Sequence, residues 1–82
     1  MKIKEVKVRN HQNGNLLGFA SLTFEEGIIF TNIMIKTGKF GRFITLPEHV
    51  GRDGEYYPDV YVTKEIKKMM EDAILKEYDQ IA

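Results

Sequence analysis

Apolar residues alternate with polar ones through most of the chain and adopt a helical period only near its end. "KIKEVKVR" (2–9) predicts a strand, and "NHQNGN" (10–15) a turn, because Asn and Gly accept positive φ with little strain. "LLGFASLTF" (16–24) predicts a second strand with Leu16, Ala20, Leu22 and Phe24 on one face, followed by a short hairpin connection at "EEG" (25–27). "IIFTNIMIK" (28–36) predicts a third, with Ile29, Ile33 and Ile35 on one face and Ile28, Phe30 and Met34 on the other, so both of its faces need cover. "GRFITLP" (41–47) predicts a fourth, stopped by Pro47, which has no N–H for a ladder.

Beyond the proline, Asp53-Gly54 is a turn signal, and "YYPDVYV" (56–62) predicts a fifth strand that Pro58 confines to an edge or a bulge. Thr63 is placed to cap a helix running to about Gln80, with Glu65 favoured in its first turn by the helix dipole. Ile66, Met69, Met70, Ala73, Ile74 and Tyr78 share one stripe of that helix, which should lie on the sheet. The pattern thus predicts an α+β fold: a small antiparallel sheet of four to five strands with one C-terminal α-helix, a single domain over residues 1–82. One helix covers one face only. A second copy of the chain is the simplest cover for the other, which predicts a homodimer through sheet or edge contacts.

Composition reinforces that expectation. A chain of 82 residues buries only roughly 60 to 65% of the surface of its unfolded form. It has no cysteine to supply disulfides or thiolate zinc ligands, so self-association remains the available way to bury more. "MKIKEVKVRN" offers no apolar stretch of the signal-peptide kind, and no run reaches the length of a membrane span, so a cytoplasmic protein without membrane insertion is expected.

Charge adds an asymmetry that the formal net charge of zero conceals. Residues 1–52 carry eight Lys/Arg against four Asp/Glu, and residues 53–82 carry four against eight. A polyanion is drawn to the first part and repelled by the second, unless the two halves neutralise each other within a monomer or dimer.

Candidate chemistry is sparse. "GKFG" (38–41) satisfies the GxxG of nucleic-acid-clamping KH loops, but that loop joins helices and both flanks here predict strands. A P-loop is excluded, since the earlier glycine is missing and Phe40 stands where a hydroxyl is required. What remains is a glycine-permitted hairpin whose Lys36, Lys39 and Arg42 lie in water, or whose tip, with Phe40, binds phosphate and stacks a base. Ser21 sits mid-strand, His11 and His49 fall in separate loops, and no thiol is present, so no enzyme is expected, and no cofactor or metal. Asp53 with Glu55 reads as turn chemistry, and Glu71 with Asp72 as a solvated helix face. Met69 and Met70 read as adaptable core filler, and Lys64, Lys67 and Lys68 cluster near the helix start.

Taken in order, the basic first strand, "LLGFASLTFEEGIIFTNIMI", "GRFITLP", "DGEYYPDV" and "AILKEY" resemble the SpoVG family of bacterial septation and sporulation regulators over essentially the whole chain. The most specific part is a glycine followed by Phe43, Leu46 and Pro47, and six residues later Asp53, Gly54 and Glu55. The resemblance implies a small antiparallel sheet with a C-terminal helix, a homodimer, and a cytoplasmic regulator that binds DNA or RNA. Lys7 and Arg9 match basic residues of the family's first strand. Members commonly carry a Lys/Arg pair just after the proline, where this chain has His49 and Val50, while Arg42 and Arg52 stand where the family does not usually place cations.

Two readings follow. In the first, the chain is a nucleic-acid-binding regulator that neutralises phosphates through Lys7, Arg9, Lys39, Arg42, Arg52, Lys67 and Lys68, with weak sequence preference. In the second, it is a protein-interaction module in cell division or envelope control, in which the sheet edge or the Phe40 tip meets another protein.

Overall fold

The computed structural model describes residues 1–81. Four strands, β1 (Ile3–Asn13), β2 (Leu16–Phe24), β3 (Ile29–Gly38) and β4 (Gly41–Thr45), form an antiparallel meander in the order β1-β2-β3-β4. A small sheet of β5 (Glu48–Val50) and β6 (Tyr56–Pro58) follows, and then helix α1 (Lys64–Ile81). The α+β class is as the sequence predicts, but the fifth strand is not part of the main sheet. Residues 56–58 instead pair with β5, and residues 59–63 are not strand. Pro47 and Asp59 hold the base of this excursion, where the Asp59 N–H donates to the Pro47 carbonyl at 2.9 Å.

Local chemistry sets the turns. β1 runs on through most of the predicted turn, leaving Gly14 and Asn15 as a two-residue loop between the paired Asn13 and Leu16. Gly14 has φ +62°, the conformation that glycine supplies at the first loop position of a type II′ turn. The GxxG segment is likewise a tight hairpin, with Gly38 paired to Gly41 and Lys39 and Phe40 at its tip, which rules out the KH-type loop. Gly18 packs so closely on β1 that a Cβ there would run into the Arg9 carbonyl oxygen.

The core lies between one sheet face and α1. Leu22 and Phe24 of β2, Ile33 and Ile35 of β3 and Ile44 of β4 are fully buried with Met70 and Ile74 of the helix, and Ala20 and Tyr78 complete the cluster. Thr63 caps the helix as predicted, its Oγ1 accepting from the Ile66 N–H at 3.2 Å.

Period two fails within β3. Ala20 pairs with Ile33, whereas Leu22 pairs with Phe30, so Thr31 and Asn32 bulge opposite Ser21. Asn32 adopts φ +56°, a conformation that Asn tolerates better than most residues. The bulge reverses the strand's phase. Phe30, expected on the outer face, packs edge-on to Phe24 at 5.9 Å, while Ile29, expected inside, is 63% exposed. A second irregularity turns Leu17, rather than Leu16, toward the core.

Replacing Ile74 by Ala is expected to destabilise the fold by about 3 kcal/mol, a large share of the ~4–12 kcal/mol typical of a chain this long. Ile29→Ala should change stability by less than about 0.5 kcal/mol. Urea unfolding followed by circular dichroism measures both.

Candidate functional site

The sheet face away from α1 carries the side chains that alternate with the core set. Its registered rows are Glu5 with Thr23, Lys7 with Ser21, Arg9 with Phe19 and Met34 with Thr45, and Lys36 with Phe43 follows on the next row. Because β1 and β2 are both extended, Lys7 and Arg9 fall on this same open face as two-apart neighbours. The Lys7 ammonium lies 3.7 Å from Glu5, a pair exposed on both sides and therefore weak.

The bulge opens a depression beside these cations. Lys7, Arg9, Phe19, Ser21, Thr31 and Asn32 line a space of about 480 Å³, with Val8 and Ala20 beneath. Phe19 forms one wall, with the His11 ring tilted against it at 5.7 Å. Positive charge, an aromatic face and three neutral hydrogen-bonding side chains thus converge on one shallow site.

The other predicted site residues do not join it. Lys39 is at the β3–β4 tip, its ammonium 5.9 Å from the ring of Phe40, which is 98% exposed. Arg42 is engaged within the fold: its two terminal nitrogens donate to the Asp79 carboxylate at 2.5 and 3.1 Å, and its guanidinium lies 5.9 Å from the Tyr78 ring centre. That bidentate bond raises the Arg42 pKa and holds Asp79 below the ordinary carboxylate value. Arg52 sits in the turn between β5 and β6, and Lys67 and Lys68 project from α1, which packs on the opposite sheet face. Lys68 reaches Asp72 one turn on at 3.4 Å.

Around the small sheet the polar groups satisfy one another. His49 Nδ1 lies 2.6 Å from Asp59, and the Tyr57 hydroxyl donates to Asp53 at 2.5 Å. Asp53 also accepts the Glu55 N–H, and these two bonds, the tyrosine's first, lower its pKa. No group of three or more metal-ligating side chains gathers among the described residues. Phe19, Asn32 and Ser21 were not legible as site residues. The one signal was Phe19 itself, an aromatic out of phase with Ala20, Leu22 and Phe24.

Comparison with known proteins gives one consistent result. The SpoVG family model matches residues 1–80. A relative from Borrelia hermsii is 31% identical over 95% of this chain and 86% of its own length. One from Clostridium perfringens is 29% identical over 99% of this chain and 92% of its own length. One from Staphylococcus aureus is 26% identical over 99% of this chain and 83% of its own. Each carries "septation protein SpoVG" in its name.

The lowered native pKa values of Asp53 and Asp79 give stability that is present above the unfolded carboxylate value, about 3.9, and is lost as pH falls through the depressed native values. Asp79→Asn is therefore expected to flatten the fall of the urea midpoint as pH drops below the unfolded carboxylate value, about 3.9. An acid limb as steep as that of the unaltered protein would show that the Arg42 contact is not maintained in solution.

Proposed function

Because the chain belongs to the SpoVG family, we propose that it is a cytoplasmic regulator of septation and sporulation type that binds DNA or RNA mainly through the phosphate backbone. The observation that carries this reading is the open sheet face, where Lys7, Arg9 and Lys36 share the registered rows with one acidic side chain, Glu5. Such a face attracts phosphates and releases their counterions, and it offers no recognition helix for reading bases in a groove. Lys39 extends the charge toward the hairpin tip. Arg42, in phase with the core residue Ile44 and bonded to Asp79 on the helix side of the sheet, does not join that face. Lys67 and Lys68 stand on α1, on the other side of the sheet, and Arg52 lies apart in the turn of the small sheet.

The homodimer belongs to the same proposal. The outward Ile44 N–H of edge strand β4 is met by Glu71 at 3.3 Å, whereas β1 presents eleven residues of edge. Antiparallel pairing of β1 with its counterpart requires a two-fold axis normal to the sheet, which leaves both open faces on the same side and doubles the positive surface. A second reading, a protein-interaction module, is favoured by one observation: Tyr56, Tyr57, Tyr61 and Val50 are exposed on and next to the small sheet.

Fluorescence anisotropy with labelled single- and double-stranded probes at several salt concentrations tests the first reading. Binding is expected to weaken with salt, and Lys7→Ala with Arg9→Ala should reduce the slope of log affinity on log salt by roughly 1.5 to 2. If no probe binds at low salt, the nucleic-acid reading is wrong. Sedimentation equilibrium at micromolar concentration should return twice the 9.5 kDa chain mass; the single-chain mass would remove the dimer.

A further inference from the structure

The open face could hold a polyanion by charge alone, and nothing about charge alone requires a depression. Yet the bulge places one there. Thr31 and Asn32 together face the single residue Ser21, and Asn32 is held in the left-handed region at φ +56°. Conformations of this kind persist where the surrounding structure imposes them, and they gather at binding sites. Here the effect is to recess the sheet between the Arg9–Phe19 and Lys7–Ser21 rows.

We infer that this depression is a binding site for one unpaired nucleotide of a nucleic-acid strand, with the base on Phe19 and the flanking phosphates held by Lys7 and Arg9. The inference rests on the nucleic-acid reading above and adds to it a position and a preference for single strands. The space of about 480 Å³ lies within the range of small-ligand clefts, roughly 300–1,000 Å³. Its chemistry is that of a nucleotide. An aromatic face accepts any base by stacking, and the two cations stand on the adjacent strand within reach of the backbone on either side. No side-chain hydrogen bond within the described residues engages Ser21, Thr31 or Asn32, so their hydroxyls and amide are free for base edges or sugar hydroxyls. A duplex does not fit this arrangement, because its bases are already paired and stacked on one another and leave no base face open to Phe19.

The test is anisotropy with a labelled 12-nucleotide single strand and its duplex, using the unaltered chain, Phe19→Leu, Phe19→Tyr and Asn32→Gly. The unaltered protein should favour the single strand. Phe19→Leu should lose about tenfold or more on it while its duplex affinity stays within twofold, and Phe19→Tyr, which keeps the stacking face, should bind as before. Asn32→Gly retains the positive φ and removes the amide, so it should weaken the single strand without lowering the unfolding midpoint. Backbone amide shifts of the unaltered protein give a readout independent of any variant: the single strand should move Arg9, Phe19, Ser21 and Asn32 more than Lys67 and Lys68. If both probes bind but Phe19→Leu matches the unaltered protein, or if the shifts centre on the helix, the site is refuted and the backbone-binding reading survives. If neither probe binds at low salt, both are refuted.

Discussion

The structure depends on one apolar contact, the burial of Met70, Ile74 and Tyr78 of a single helix against Leu22, Phe24, Ile33, Ile35 and Ile44 of a four-stranded sheet. In a chain this short that layer supplies most of the surface removed from water, and every other element is arranged around it. Edge strand β4 is tied to the helix by Glu71 and Asp79, and the small sheet hangs from the Pro47–Asp59 bond. The remaining sheet face carries charged, polar and aromatic side chains because the core does not need it. The site and the core are thus the two sides of the same strands.

This division decides which cations are free to meet a partner. Proximity in sequence grouped Lys36, Lys39 and Arg42 at one hairpin, but the three have different surroundings. Lys36 stands on the open face, Lys39 reaches over Phe40, and Arg42 is taken up by Asp79 and Tyr78. Charge counts by segment describe the field that a polyanion senses at a distance. They do not say which guanidinium is already bonded.

Much of the fold was legible because it follows from local rules. The helix stripe, the Thr63 cap and the four main strands come from periodicity and capping chemistry, and the resemblance to SpoVG was carried by Phe43, Leu46, Pro47 and the Asp53-Gly54-Glu55 turn. What escaped was non-local or broke the period. The bulge at Asn32 inverts the faces of β3, so Ile29 and Phe30 exchange places, and strict alternation cannot foresee that. The run 56–62 read as one more strand of the sheet, since nothing in a short aromatic run says which strand it will pair with. The depression at Phe19 needs both the bulge and the β1–β2 register, which is why its residues carried no signal individually.

The Arg42–Asp79 bond joins the β3–β4 hairpin to the last turn of α1, across 37 positions of chain. Helix ends fray, and this one has no basic residue of its own in the final turn to complement its terminal carbonyls. The hairpin arginine, supplied from a distant part of the chain, instead offsets the Asp79 carboxylate, whose negative charge is unfavourable at this end of the helix. Trimming by a protease before Asp79 would do more than shorten the helix: it would release a guanidinium beside the Phe40 tip and so change the charge that the far end of the sheet displays.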